Sequence, residues 1–206
     1  MGRQKHVDLF AFGINYNDPS NPAKARYNQN ITEAIWKTAS DNVQRSYLYD
    51  YDALNRITGA TASSSNYNLG LVQYDKMGNI TRLTRNGHRD VNATTFGLMD
   101  DLTYQYEGNQ LKSIDDATAA SAVTGFIEGA ENATEYQFDA NGNMVRDDNK
   151  KITDVEYNHL NMPTEVTVTG SNAGVLDFVY AADGTKLRKS NSNGTTTDYA
   201  GNYVYE

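Results

Sequence analysis

A seven-residue pattern recurs along this chain and limits the folds open to it. Residues Phe138 to Met144 read Phe-Asp-Ala-Asn-Gly-Asn-Met, Tyr51 to Ile57 read Tyr-Asp-Ala-Leu-Asn-Arg-Ile, and Tyr74 to Ile80 read Tyr-Asp-Lys-Met-Gly-Asn-Ile. Tyr157 to Pro163 and Tyr180 to Lys186 are looser copies, and at Tyr106 the copy shortens to Tyr-Glu-Gly-Asn-Gln. The unit is an aromatic, usually an acid or amide next, then Gly or Asn four places on. Such a unit buries its apolar face only by stacking on its neighbours, so the repeat governs everything that follows.

The flanks say what each unit does. Ahead of the aromatic the chain alternates, as in Tyr47-Leu-Tyr49-Asp-Tyr51, Leu102-Thr-Tyr104-Gln-Tyr106 and Leu176-Asp-Phe178-Val-Tyr180. Period-two alternation of aromatic and β-branched residues predicts strands with one apolar face. The middle of the unit offers Gly78-Asn79, Gly108-Asn109, Asn141-Gly142 or Asp183-Gly184, residues that accept the positive φ of tight turns. A second apolar segment follows, such as Ile80-Thr-Arg-Leu83 or Val166-Thr-Val168. Each unit therefore reads as a β-hairpin.

The repeated Tyr-Asp-x-x-Gly/Asn-Asn/Arg-Ile/Leu resembles the YD repeat of the Rhs family, which includes bacterial polymorphic toxins, the C components of insecticidal toxin complexes, and teneurins. The resemblance covers Tyr47 to Glu206 directly, and Gln29-Asn30-Ile31-Thr32 echoes Gly78-Asn79-Ile80-Thr81 further back. It implies hairpins aligned in a long curved antiparallel sheet that forms part of a hollow shell. The residues that match the family scaffold are Tyr51, Asp52, Tyr74, Asp75, Gly78, Asn79, Tyr106, Gly108, Asn109, Phe138, Asp139, Gly142, Asn143, Tyr157, Tyr180 and Gly184. Asn158 and Ala181 stand where the family has the acid, which puts the regularity of those two turns in question. The self-cleaving region and toxic domain with which Rhs-type proteins close have no counterpart: the chain lacks an Asp-Pro-x-Gly motif, so no catalytic residue carries over.

Composition tests the hairpin reading. Val, Ile, Leu and Phe make up under a fifth of the 206 residues, a level that by itself points to disorder. The net charge of -8 is modest, however, and the 15 tyrosines fall at strand positions. An ordered sheet built on tyrosine rows is the consistent alternative, with cross-strand aromatic pairs contributing roughly 0.2–1 kcal/mol each. An isoelectric point near 4.8 and the lack of a basic patch argue against nucleic acid as a partner. Cysteine is absent, which removes disulfides and thiolate metal sites. No apolar run approaches the roughly 18–20 residues of a membrane-spanning helix, and Met-Gly-Arg-Gln-Lys-His leads into no signal-peptide core. The abrupt start, and the stop at Tyr203-Val-Tyr-Glu206, fit a fragment of a longer repeat protein.

Taken in order, residues 1–43 form a divergent set of strands and 44–206 the recognisable repeats of a single all-β segment. Leu9 to Tyr16 and Ile31 to Trp36 are predicted strands, with the lone Trp36 as a packing anchor, and Thr61 to Asn66 a loop. Two longer insertions, Asn86 to Asp101 and Asp115 to Glu135, have room for a short helix, most readily in the Ala-rich piece Ala117 to Ala122.

Other chemistry is weaker. Asp139-x-Asn141-Gly-Asn143 looks like a calcium loop, but Gly142 is fourth rather than sixth and the twelfth position is Lys150, not Glu. His6, His88 and His159 are isolated. The paired acids Asp100-Asp101, Asp115-Asp116 and Asp147-Asp148 read as solvated turn residues, since neighbours on a strand point to opposite faces and cannot share a cleft. Five Asn-x-Thr triplets match chance in so Asn- and Thr-rich a chain. The expectation is thus a structural, non-enzymatic, cofactor-free repeat segment of a secreted or cell-surface protein, whose partners are the rest of its own chain and the cargo it encloses. A tyrosine-rich face that binds glycans is the alternative function, and edge-to-edge self-association is expected of an excised sheet.

Overall fold

A computed structural model describes residues 9–118, 124–130 and 132–206. Among these the fold is all β, and the helical elements are three short 3-10 turns, Pro22–Lys24, Ser65–Tyr67 and Gly170–Asn172. One antiparallel sheet holds, in chain order, β1 (Phe10–Asn15), β2 (Glu33–Thr38), β3 (Gln44–Tyr51), β4 (Ile57–Ala62), β5 (Leu69–Tyr74), β6 (Ile80–His88), β7 (Phe96–Glu107) and β8 (Gln110–Asp116). A second holds β9 (Tyr136–Phe138), β10 (Met144–Asp147), β11 (Ile152–Tyr157), β12 (Pro163–Val168), β13 (Gly174–Tyr180), β14 (Lys186–Asn191), β15 (Thr196–Ala200) and β16 (Tyr203–Tyr205), again in chain order. The expected hairpin fold is present, its strands divided between two sheets. The chain clusters into two compact units, Met1–Thr103 with Asp116–Phe126, and Tyr104–Asp115 with Ile127–Glu206.

The repeat boundaries coincide with the ladder. Tyr51 pairs with Ile57, Tyr74 with Ile80, Phe138 with Met144, Tyr157 with Pro163 and Tyr180 with Lys186, so each seven-residue unit is bounded by the two residues that close its hairpin. A register shift falls at the aromatic in four of these, at Tyr51, Tyr74, Tyr157 and Tyr180. A bulge of this kind sharpens local twist.

Two expectations change. Asn86 to Asp101 is a hairpin rather than a long loop or a helix: β6 runs to His88 and β7 starts at Phe96, with Gly87 opposite Gly97 and a short turn over 89–95 between them. Arg82 and Arg85 on β6 pair with Asp101 and Asp100 on β7, which is how so charged a stretch remains a strand. The Ala-rich helix falls for the most part outside the described residues; Ala117 itself continues the ladder, its N–H donating to the Asp101 carbonyl at 3.0 Å.

The apolar core is thin. Ala60, Val72, Met99 and Leu102 are buried in the first unit and Ile114, Tyr136 and Val155 in the second. The largest fully buried side chains are instead polar: Glu33, Glu135, Thr32, Asp100 and Asp147. Buried charge is costly unless it is paired. Glu33 accepts from Asn15 Nδ2 (2.8 Å), Ser20 N–H (2.9 Å) and Ser20 Oγ (2.6 Å), and Asp100 pairs with Arg85 while accepting from the Phe126 N–H at 2.7 Å. The reading of Asp100 and Asp147 as solvated turn residues is therefore corrected: each is held inside by specific donors, for Asp147 the Lys150 N–H at 3.0 Å.

Candidate functional site

The matched scaffold residues gather into one recurring construction, a turn capped by its own acid. Asp139 Oδ1 accepts from the N–H groups of Asn141 (2.9 Å) and Asn143 (2.8 Å), and its Oδ2 accepts from Asn143 Nδ2 at 2.9 Å. Asp75 does the same for Met77, Asn79 and the Asn79 amide, at 2.8, 2.9 and 2.9 Å. Asp52 caps the N–H groups of Leu54 and Arg56, and here the Arg56 guanidinium takes the place of the amide at 2.7 Å. These bonds favour the ionised form, so all three carboxyls sit below the usual range; the leading cause is the side-chain amide for Asp75 and Asp139 and the Arg56 N–H for Asp52.

The fifth residue supplies the left-handed conformation. Gly78, Gly142 and Gly184 have φ of 96, 85 and 85°, and Asn55 and Asn161 take the same slot at 64 and 56°. Asn158, in place of the acid, still accepts from the Leu160 and Met162 N–H groups, at 2.9 and 3.1 Å. Ala181 cannot cap, and Asp183 substitutes by accepting from the Thr185 N–H at 2.9 Å. In the shortened copy, Tyr106 lies near the end of β7 and Gly108-Asn109 joins it to β8, with Gly108 at φ 61°.

Two further copies escaped the sequence pattern. Asp90 Oδ1 accepts from the Asn92 and Thr94 N–H groups at 3.0 and 3.1 Å, with Ala93 at φ 53°, and Asn191 caps the Asn193 N–H at 3.1 Å with Gly194 at φ 99°. Neither follows an aromatic, the signal that marks the others.

The tyrosines link one unit to the one before. Tyr51 Oη donates to the Ile31 carbonyl (2.6 Å), Tyr74 Oη to Ile57 (2.7 Å) and Tyr157 Oη to Met144 (2.6 Å). In each case the acceptor is the residue that ends the preceding turn. Turns also touch turns: Asn161 Oδ1 accepts from Asn143 Nδ2 at 2.9 Å, Asn55 Oδ1 from Asn28 Nδ2 at 2.6 Å, and Arg56 lies 4.4 Å over the Tyr74 ring.

The first unit presents an aromatic surface on one face of its sheet. Residues opposite in register share a face, so Phe12 with Trp36, Ile14 with Ala34, Ala34 with Tyr47, and Tyr49 with Ala60 lie on one side. Trp36 stacks on Tyr47 at 5.7 Å and Tyr47 on Tyr49 at 6.2 Å. Tyr49 lines two open concavities. One, of about 390 Å³, is also lined by Tyr67, Leu69, Arg85 and His88. The other, of about 400 Å³, is lined by Phe12, Ile14, Trp36 and Tyr51. Burial raises the hydroxyl pKa of Tyr47, Tyr49 and Tyr51, which stay neutral donors at physiological pH. Among the described residues no group of three His, Cys, Asp or Glu is placed to hold a metal ion.

No protein-family model and no curated protein matches the chain. Solved structures do. A crystal structure of TcdB2–TccC3 without its hypervariable C-terminal region is matched over 94% of this chain and 11% of its own, with a TM-score of 0.58 and 15% identity. Crystal structures of TcdB2-TccC3-Cdc42 and TcdB2-TccC3-TEV are matched over 92% and 95% of this chain and 12% and 10% of theirs, with TM-scores of 0.53 and 0.54 and identities of 15% and 13%. The TccC3 part of these toxin complexes is an Rhs-repeat shell. At such identities the likeness is one of fold, and it agrees with the resemblance carried by the heptads. The chain spans about a tenth of the length of the solved chains it matches.

Proposed function

We propose that this chain is a structural repeat segment of a larger secreted or cell-surface Rhs-type protein, a stretch of β-sheet wall that helps enclose a cargo such as a toxin domain. The observation that carries the reading is the unit-to-unit linkage: a tyrosine hydroxyl on the preceding turn's carbonyl, repeated at Tyr51, Tyr74 and Tyr157. Such a bond specifies where the next hairpin lies and nothing about a ligand, as suits a wall that grows by addition. Containment works because paired strands leave few backbone groups free and no extended segment for a protease to bind. In this reading the partners are further repeats of the same polypeptide and its cargo, and the segment turns over no substrate; hydrolysis of a generic glycoside or peptide panel by the purified chain overturns the second point. Containment itself is tested by limited proteolysis of a polypeptide carrying this segment together with its cargo. The cargo should survive while exposed linkers are cut, and digestion as fast as that of the free cargo rejects the reading.

The stacked Trp36–Tyr47–Tyr49 face supports a second reading, a glycan-binding surface, because sugar rings stack on aromatic planes and the flanking concavities are open. Trp36 is the sole tryptophan, so its emission reports occupancy directly. A saturable change with an oligosaccharide, lost in Tyr49→Ala, supports this reading, and a flat response across a glycan panel removes it.

A further inference from the structure

Thr32-Glu33 leads into β2 and Thr134-Glu135 into β9, and the two glutamates are equally buried, each 1% exposed. Their surroundings differ in one respect. Both oxygens of Glu33 receive hydrogen bonds, from Asn15 and Ser20. Glu135 uses only Oε2, which accepts from the Ile114 N–H at 3.0 Å and from Asn149 Nδ2 at 2.7 Å; its Oε1 is buried without a partner. A buried carboxylate oxygen without a donor carries a large desolvation penalty, which a proton on that oxygen removes. Protonation at Oε1 leaves both bonds at Oε2 in place.

Among the described residues no ion pair reaches Glu135. Asp115 on β8 and Glu128 in the connection to β9 act on Glu135, and both are acids. The surrounding cations are engaged elsewhere: Arg146 with Asp148 (2.5 Å), Lys150 with Asp147 (3.6 Å), Lys112 with Glu107 (2.8 Å) and Lys151 with the Gly129 carbonyl. Burial, then Asp115 and Glu128, raises the carboxyl pKa of Glu135, although burial is partly opposed by the Ile114 and Asn149 bonds. At Glu33 the bonds from Ser20 and Asn15 outweigh the larger single effect of burial, and the pKa is lowered.

Glu135 also sits where several segments meet. Its N–H donates to the Lys112 carbonyl on β8 at 2.7 Å, and its carbonyl accepts from the Asp148 N–H at 2.9 Å. Asn149 holds both ends of the approach to β9: its Oδ1 accepts from the Gly129 and Ala130 N–H groups at 2.8 and 3.1 Å, while its Nδ2 donates to Glu135 and, at 3.2 Å, to Tyr136 Oη.

We propose that Glu135 is a proton-operated clasp: neutral, it fastens the connection before β9 onto β8 and onto the turn between β10 and β11, and ionised, it loosens that fastening. The sign follows from linkage. An acid whose pKa is raised in the folded state contributes stability that is fully present below its unfolded value and is lost as pH rises through the folded value. Acidification therefore tightens this junction and return to neutral pH relaxes it.

The test compares the full chain with Glu135→Gln, which keeps an acceptor oxygen for Ile114 and Asn149 and carries no charge. The melting midpoints of the two should lie close together near pH 4, and the variant's should rise above wild type by about 2–4 °C by about pH 7. Glu33→Gln should behave oppositely, falling below wild type as pH rises. Carboxyl carbon NMR of the wild type reads the site without any variant, and Glu135 should titrate above the ordinary glutamate range while exchange at the Ile114 amide speeds up through the same interval. Titration at or below that range, or parallel melting profiles for wild type and Glu135→Gln, overturns the proposal.

Discussion

The fifth position of each heptad shows what one residue contributes. At Gly142 a Cβ would meet nothing within 4 Å, yet φ is 85°. Any cost of a side chain there comes from the backbone alone, and Gly142→Val should destabilise by roughly 1–2 kcal/mol, read as a lower denaturation midpoint. Ala93 offers the converse, a Cβ already held at φ 53° in an equivalent capped turn. Ala93→Gly should stabilise by about 0.5–1 kcal/mol, the relief of strain exceeding the added freedom of the unfolded chain. These two positions also mark what could be read from the sequence. Gly142 declared its turn because glycine is the usual answer to a positive φ; the Ala93 turn was hidden because alanine is not, and only the bonds to Asp90 reveal it. Buried acids were equally hidden. Glu33 and Glu135 lie inside because of donors 13 or more residues away in sequence, and no local pattern carries that information.

At the scale of the hairpin, the acid caps the turn and the tyrosine fastens it to its neighbour. Tyr51→Phe removes the 2.6 Å bond to the Ile31 carbonyl while keeping the ring, and should cost about 0.5–1.5 kcal/mol in chemical denaturation. Asp52, Asp75, Asp90, Asp139 and Asp183 all have lowered pKa values, so their contribution is present above the unfolded carboxyl value and is lost as pH falls through the folded one. Thermal stability should drop on acidification below about pH 4, and Asp139→Asn, which retains an acceptor for the backbone N–H groups, should shrink that drop. An unaltered acid limb in the variant would show that Asp139 does not cap in solution. The hairpins were legible in the sequence because turn chemistry and strand alternation agreed at most heptads, with Asn158 and Ala181 the departures. Pairing of Arg82 and Arg85 with Asp101 and Asp100 was not, since the two acids read as solvated turn residues and their partners lie 19 and 15 residues away in sequence.

At the scale of the whole molecule, β1 and β16 each have a hydrogen-bonded neighbour on one side only among the described residues. β1 carries Phe10 and Phe12, each 58% exposed, and no charge or proline; β16 carries Tyr203 and Tyr205 at 69% and 60%. Bare apolar edges invite further pairing. The isolated chain should therefore associate with rising concentration, and Phe12→Lys should lower the mass measured by light scattering; a monomer at every concentration would count against an available edge. The fold agrees with that of Rhs-repeat toxin-complex shells, and containment is the functional claim built on it. It is tested most directly by cryo-electron microscopy of a polypeptide that carries this segment together with further repeats and a cargo. The account predicts that β1 and β16 are each paired to further strands of one continuous wall, with cargo density on its inner side. A segment standing apart, its edge strands facing solvent and nothing enclosed, would contradict it.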